Sequence, residues 1–147
     1  MSDRAYWEKE MGQNIRLVDE MIAYLYSLDK DITPRYDRPS QDLIGLNWAG
    51  RPRNVLQNFA TFRQMKDESR RLRIELYGLS EQFAPRVRKA GLEVSYSQEI
   101  SPPRGRLLIL LTPNEWAKHE IKALIQELLR STYEQAIMPR SQMRRGI

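Results

Sequence analysis

Arg71-Leu72-Arg73-Ile74-Glu75-Leu76-Tyr77 is the stretch that decides the fold. Leu72, Ile74 and Leu76 alternate with Arg71, Arg73, Glu75 and Tyr77, a period of two that belongs to a half-buried β-strand. One face is aliphatic and faces a core. The other is cationic at one end and aromatic at the other, so this strand belongs to a sheet with one face left polar.

Working outward, the same period recurs. Towards the N-terminus, Leu56, Asn58, Ala60 and Phe62 alternate with Val55, Gln57, Phe59 and Thr61. Apolar residues on both faces predict a central strand. Before it, Ile44, Leu46 and Trp48 alternate with Gly45 and Asn47, and 49–54 is a turn carrying Arg51 and Arg53. Residues 64–69 are polar and turn the chain into the Arg71 strand. Towards the C-terminus, Ser80 is a candidate cap for a short helix through Ala90, with Phe83, Val87 and Ala90 inward and Gly91 as its terminating glycine. Leu92, Val94 and Tyr96 then mark a fourth strand. Arg106 to Leu111 is a continuous apolar run, read as a strand buried on both faces. Thr112-Pro113-Asn114-Glu115 opens a helix to about Gln135. Thr112 is the N-cap, Pro113 stands where no amide is needed, and Glu115 completes a capping box.

At the other end, Trp7, Met11, Ile15, Val18, Ile22 and Leu25 recur at steps of three and four, predicting one long amphipathic helix over 3–28. Residues 29–41 contain Pro34 and Pro39 and show no period, and read as a linker. The expected order is α-β-β-β-α-β-β-α. It makes an α+β domain, with an antiparallel-rich sheet of about five strands and helices on one face. The domain spans 1–137, with its sheet and helix body over 42–137 and a basic tail over 138–147.

A chain of 147 residues is long enough to bury one core without staples. Without cysteine it has neither disulfides nor thiolate metal sites. The polar, mixed-charge first ten residues are no signal peptide, and no apolar run approaches the ~20 residues that span a bilayer. The expected setting is cytoplasmic, with no membrane partner. Charge is uneven: residues 1–50 hold 6 Lys/Arg and 9 Asp/Glu, and residues 51–147 hold 18 and 10. That step points to an anionic partner for the C-terminal part.

Catalytic constellations are absent from the sequence. The single histidine, His119, follows Glu115 by four residues, and a catalytic zinc needs about three protein ligands. Gly45, Gly50, Gly78, Gly91 and Gly105 are scattered singly and form no phosphate loop, so each reads as a turn or cap glycine. Glu120-Ile121-Lys122 matches part of a nuclease triplet but falls within a helix. No nucleophile elbow occurs. The reading leans towards a non-enzymatic module without metal or cofactor.

Arginine dominates the basic part of the chain, and its planar fork suits bidentate phosphate contacts. Arg51, Arg53, Arg71, Arg73, Arg86, Arg104 and Arg106 are the candidate nucleic-acid-binding residues. Glu75, Glu81, Glu93 and Glu99 are interleaved with them and dilute the patch. Two other readings stay open. Trp7, Trp48, Phe59 and Trp116 together with the basic tail suggest a subunit that binds another protein in a larger assembly. Trp48, Asn58 and Tyr77 suggest a ligand-binding sheet face.

Asn47-Trp48-Ala49-Gly50, Asn58-Phe59-Ala60, Arg71-Leu72-Arg73-Ile74, Ala90-Gly91-Leu92-Glu93-Val94 and Ser131-Thr132-Tyr133-Glu134 occur in that order. Over about 43–135 the chain resembles a family of small uncharacterised α+β domains that occur beside restriction-type nucleases, some called predicted transport proteins. It is also similar to the related YjbR/MmcQ-like domains, from which it departs in reading Ser-Thr-Tyr-Glu for Ser-Tyr-Glu. The resemblance implies an α+β fold and, from the YjbR group, DNA binding of a double-winged kind. It carries over no catalytic residue.

Overall fold

The computed structural model describes residues 3–36, 43–48, 58–100 and 103–138. Among the described residues, five helices and six strands follow in the order α1 (Asp3–Met11), α2 (Asn14–Leu28), β1 (Ile32–Arg35), β2 (Ile44–Trp48), β3 (Ala60–Gln64), β4 (Leu72–Tyr77), α3 (Phe83–Lys89), β5 (Glu93–Ile100), β6 (Pro103–Leu111), α4 (Pro113–Trp116) and α5 (His119–Ile137). All pairs in the sheet are antiparallel, and the strand order is β1-β2-β3-β4-β6-β5. The α+β class and the antiparallel sheet are as expected.

Six local expectations are corrected. The helix expected from Thr112 to about Gln135 is two, α4 and α5, with a break after Trp116. The strand expected to be buried on both faces, β6, leaves Arg106 and Leu108 only half-buried on its second face. The helix over 3–28 is two helices, because Gly12 takes φ +56 and breaks the ladder. The stripe survives the break: Trp7, Met11, Ile15, Val18, Ile22 and Leu25 are all buried. The linker over 29–41 contains β1. Pro34 is tolerated there because β1 is an edge strand, where a missing N–H need not cost a ladder bond. Gly45 and Gly105 are strand residues rather than turn residues, whereas Gly78 and Gly91 do take positive φ. Ser80 does not cap α3, whose N-cap position is Gln82 and lacks a side-chain bond.

Other local signals act as read. Thr112 Oγ1 accepts from the Glu115 amide at 3.1 Å, and Glu115 Oε1 accepts from the Thr112 amide at 2.9 Å, closing the capping box. Gly91 N–H donates to Arg88 O and Leu92 N–H to Val87 O, which ends α3 in a Schellman motif.

The core lies on one side of the sheet. Ile44 and Leu46, Ala60 and Phe62, Leu72, Ile74 and Leu76, and Leu107, Ile109 and Leu111 form one buried cluster with the inner residues of the helices. Burial of this aliphatic layer drives the fold, at roughly 25 cal/mol per Å² of apolar surface. Thr132 Oγ1 on α5 sits against the sheet backbone, bonding Phe59 O at 3.0 Å and also Tyr77 O. The opposite face carries a different set of side chains.

Candidate functional site

Cross-strand register sets out that opposite face. Antiparallel partners share a face, so Arg35, Gly45, Thr61, Glu75, Leu108 and Ser95 form one row across all six strands. Beside it runs Arg63, Arg73, Leu110 and Glu93. On the other side lie Tyr77, Arg106 and Ser97.

Glu75 is the centre of this face. Its side chain is 2% exposed, and three arginines reach it from three adjacent strands. Arg63 Nε and Arg73 Nε both lie 3.3 Å from Oε1. Arg106 Nη1 donates to Oε2 at 3.3 Å, as does the Tyr77 hydroxyl at 3.3 Å. The two Nε groups lie within ion-pair range of Oε1 but off the hydrogen-bonding axis, so their hold on it is electrostatic. A buried carboxylate without cations costs several kcal/mol in desolvation. Conversely, Arg63 and Arg73 stand directly opposite each other and would repel without Glu75. Each side of the cluster therefore needs the other.

The remaining arginines are held individually. Arg106 Nε donates to Ser97 Oγ at 3.1 Å. Arg104 Nη1 donates to Asn58 O at 3.0 Å, and its guanidinium lies 3.9 Å above the Tyr77 ring, within cation–π range. Arg71 pairs with Glu93 at 3.0 Å. Leu110 is buried although it lies outside the core cluster, between Arg73 and Glu93. Long arginine stems cover apolar surface in this way while keeping their charged heads in water.

Of the residues expected from sequence, Arg71, Arg73, Arg104 and Arg106 are thus brought to one face. Arg86 is not: it lies on α3 and pairs with Glu127 of α5, and each group shifts the other's pKa, Arg86 up and Glu127 down. Arg51, Arg53 and the tail arginines lie outside the described residues. Arg63 was missed, although the alternation of Thr61 and Arg63 against Ala60 and Phe62 already puts both on the polar face. Glu75, in sequence one of the acids that dilute the patch, is the anchor of the cluster.

The three residues of the expected ligand face are separated. Asn58 and Tyr77 are neighbours through Arg104. The Asn58 amide also covers Gly45, where an added Cβ would come within 2.4 Å of it. Trp48 belongs to the helix side, where its Nε1 donates to Asp29 Oδ2 at 3.1 Å. Asp29 also accepts from the Tyr133 hydroxyl. That bond and the bond from the Asp31 amide hold the Asp29 carboxyl below its usual range. Burial, with the carboxylate alongside, pushes the Tyr133 phenol up to about 12.

His119 is exposed at the start of α5, and the break after Trp116 separates it from Glu115, whose carboxylate is engaged in the cap. Among the described residues no group of three or more His, Cys, Asp or Glu is placed to hold a metal ion, and no helix is long and apolar enough to cross a membrane. No family model, curated protein or solved structure matches the chain.

Proposed function

We propose that this domain is a non-catalytic accessory module that binds nucleic acid through the arginine face of its sheet. The observation that carries the reading is the convergence of Arg63, Arg73 and Arg106 on Glu75, with Arg104 stacked on Tyr77 beside them. Arg35 and Arg71 extend the same face by register, and Glu75, Glu93 and, opposite Arg104, Glu99 are the acids set among these six arginines. The face therefore carries a cationic excess, and the helices pack on the other side of the sheet. Glu75 is buried and sits among the arginines as their counter-charge.

Phosphate contacts by arginine release condensed counterions, so affinity falls with salt. The logarithmic slope is about −0.9 per neutralised phosphate on duplex DNA and about −0.7 on single strands. Four engaged arginines predict a slope of roughly −3 to −4. Fluorescence anisotropy of labelled duplex and single-stranded oligonucleotides between roughly 50 and 200 mM salt measures it. Arg63→Glu with Arg104→Glu should abolish binding, and Arg86→Gln on the helical side should leave it unchanged. An affinity that does not move with salt, or that falls equally in all variants, refutes the reading.

A further inference from the structure

We propose that Arg63, Arg73 and Arg106 form one phosphate subsite, with Glu75 as the positioning residue that aims them. This deepens the nucleic-acid reading and rests on it. Arg63 Nε and Arg73 Nε are buried and both stand 3.3 Å from the same carboxylate oxygen, yet the two side chains keep 39% and 31% exposure. The exposed surface therefore lies on atoms other than Nε, and each guanidinium carries four further N–H donors besides Nε–H. Arg106, also 31% exposed, spends Nη1 on Glu75 and Nε on Ser97, which fixes its plane from two directions.

An arginine on a flat surface normally loses rotamer freedom when it grips an anion. Here Glu75 has already removed that freedom. Three guanidiniums and one carboxylate leave a net charge of +2. A phosphate monoester carries about −1.5 to −2 near neutral pH, and a backbone diester carries one negative charge. Both present oxygens that accept in-plane pairs of N–H bonds.

Diffuse attraction and a positioned clamp predict opposite outcomes for one substitution. Glu75→Gln removes a negative charge from the face, so attraction alone makes anion binding tighter. A clamp loses its aim, so binding becomes weaker by about tenfold, the scale of one lost charge-assisted pair of bonds.

The test uses arginine Nε–Hε NMR signals of the full chain, titrated with methyl phosphate and with dimethyl phosphate. Signals of Arg63, Arg73 and Arg106 should move together and saturate, with Arg86 unmoved. Saturation by methyl phosphate alone assigns the subsite to a terminal phosphate, and saturation by both assigns it to the backbone. Glu75→Gln should weaken the response about tenfold. Arg63→Lys and Arg73→Lys should do the same, and they decide the matter if Glu75→Gln does not fold, since they keep both the charge and the carboxylate. Equal non-saturating shifts at all arginines, or undiminished binding in the lysine variants, overturn the subsite. Oligonucleotide binding without phosphate saturation refutes the subsite alone. Phosphate saturation without oligonucleotide binding refutes the nucleic-acid reading alone.

Discussion

Gly105→Ala tests how tightly the strand bearing Arg104 and Arg106 is fixed. A Cβ at residue 105 would stand 2.2 Å from the Leu79 carbonyl oxygen and 2.3 Å from the Tyr96 hydroxyl. Comfortable contact needs well over 3 Å on each side, at about 3.5–4.0 Å between carbons. The tyrosine can swing, but the carbonyl is backbone next to the bond from Gly78 N–H to Gly105 O at 2.9 Å. Relief therefore requires β6 to move away from the end of β4. Overpacking of this kind costs about 1–3 kcal/mol, and a two-sided clash belongs near the top of that range. Restricting the unfolded chain returns about 0.4–1 kcal/mol, leaving a net loss near 2 kcal/mol. With an unfolding entropy of about 2.1 cal/mol/K per residue over 147 residues, the melting temperature should fall by about 7 °C. Thermal unfolding followed by circular dichroism measures this. Adding Tyr96→Phe should restore part of the loss and not all of it, because the Leu79 carbonyl remains. A fall below about 2 °C, within the tolerance expected of a surface change, would refute the reasoning. The same displacement of β6 should weaken oligonucleotide binding, since residue 105 lies between two arginines of the site.

Two further outcomes follow from side chains on the helical side. Tyr133 is held up to about 12 in the folded chain, and an unfolded tyrosine ionises near pH 10. Above pH 10 the unfolded chain releases this proton while the folded one retains it, so the stabilisation is complete below pH 10 and is lost as pH rises through 12. In urea titrations across that range, the stability difference between wild type and Tyr133→Phe should shrink steadily; a constant difference counts against the assignment. Asn14 is buried and donates through Nδ2 to Gln64 Oε1 and Arg70 O, both at 2.9 Å. Gln64 Nε2 still serves Arg70 O in its absence, at 3.1 Å, so Asn14→Ala orphans one acceptor and should cost about 1–2 kcal/mol in urea unfolding. A loss under about 0.5 kcal/mol would mean that water reaches the Gln64 amide.

Local pattern determined much of this protein. The alternation of residues 71–77 set the polar and apolar faces of β4, the step of three and four set the buried stripe of the N-terminal helices, and the Thr112 capping box set the start of α4. These signals work because side-chain direction within one element follows from its own period. Which arginines meet was decided by tertiary structure. Period two places Arg63, Arg73 and Arg106 on one face or the other of their own strands, but it does not say which strands are neighbours. The chain inserts β6 between β4 and β5, so Arg106 arrives beside Tyr77 although 28 residues lie between them in the sequence. Register then sets Arg63 against Arg73 with Glu75 next to both. The same long-range packing carries Arg86 away on α3 to Glu127. An acid that lowers the net charge in the sequence becomes, once the sheet is paired, the group that gathers the cations. Its role comes from burial and from neighbours on other strands, and neither is a property of its own stretch of chain.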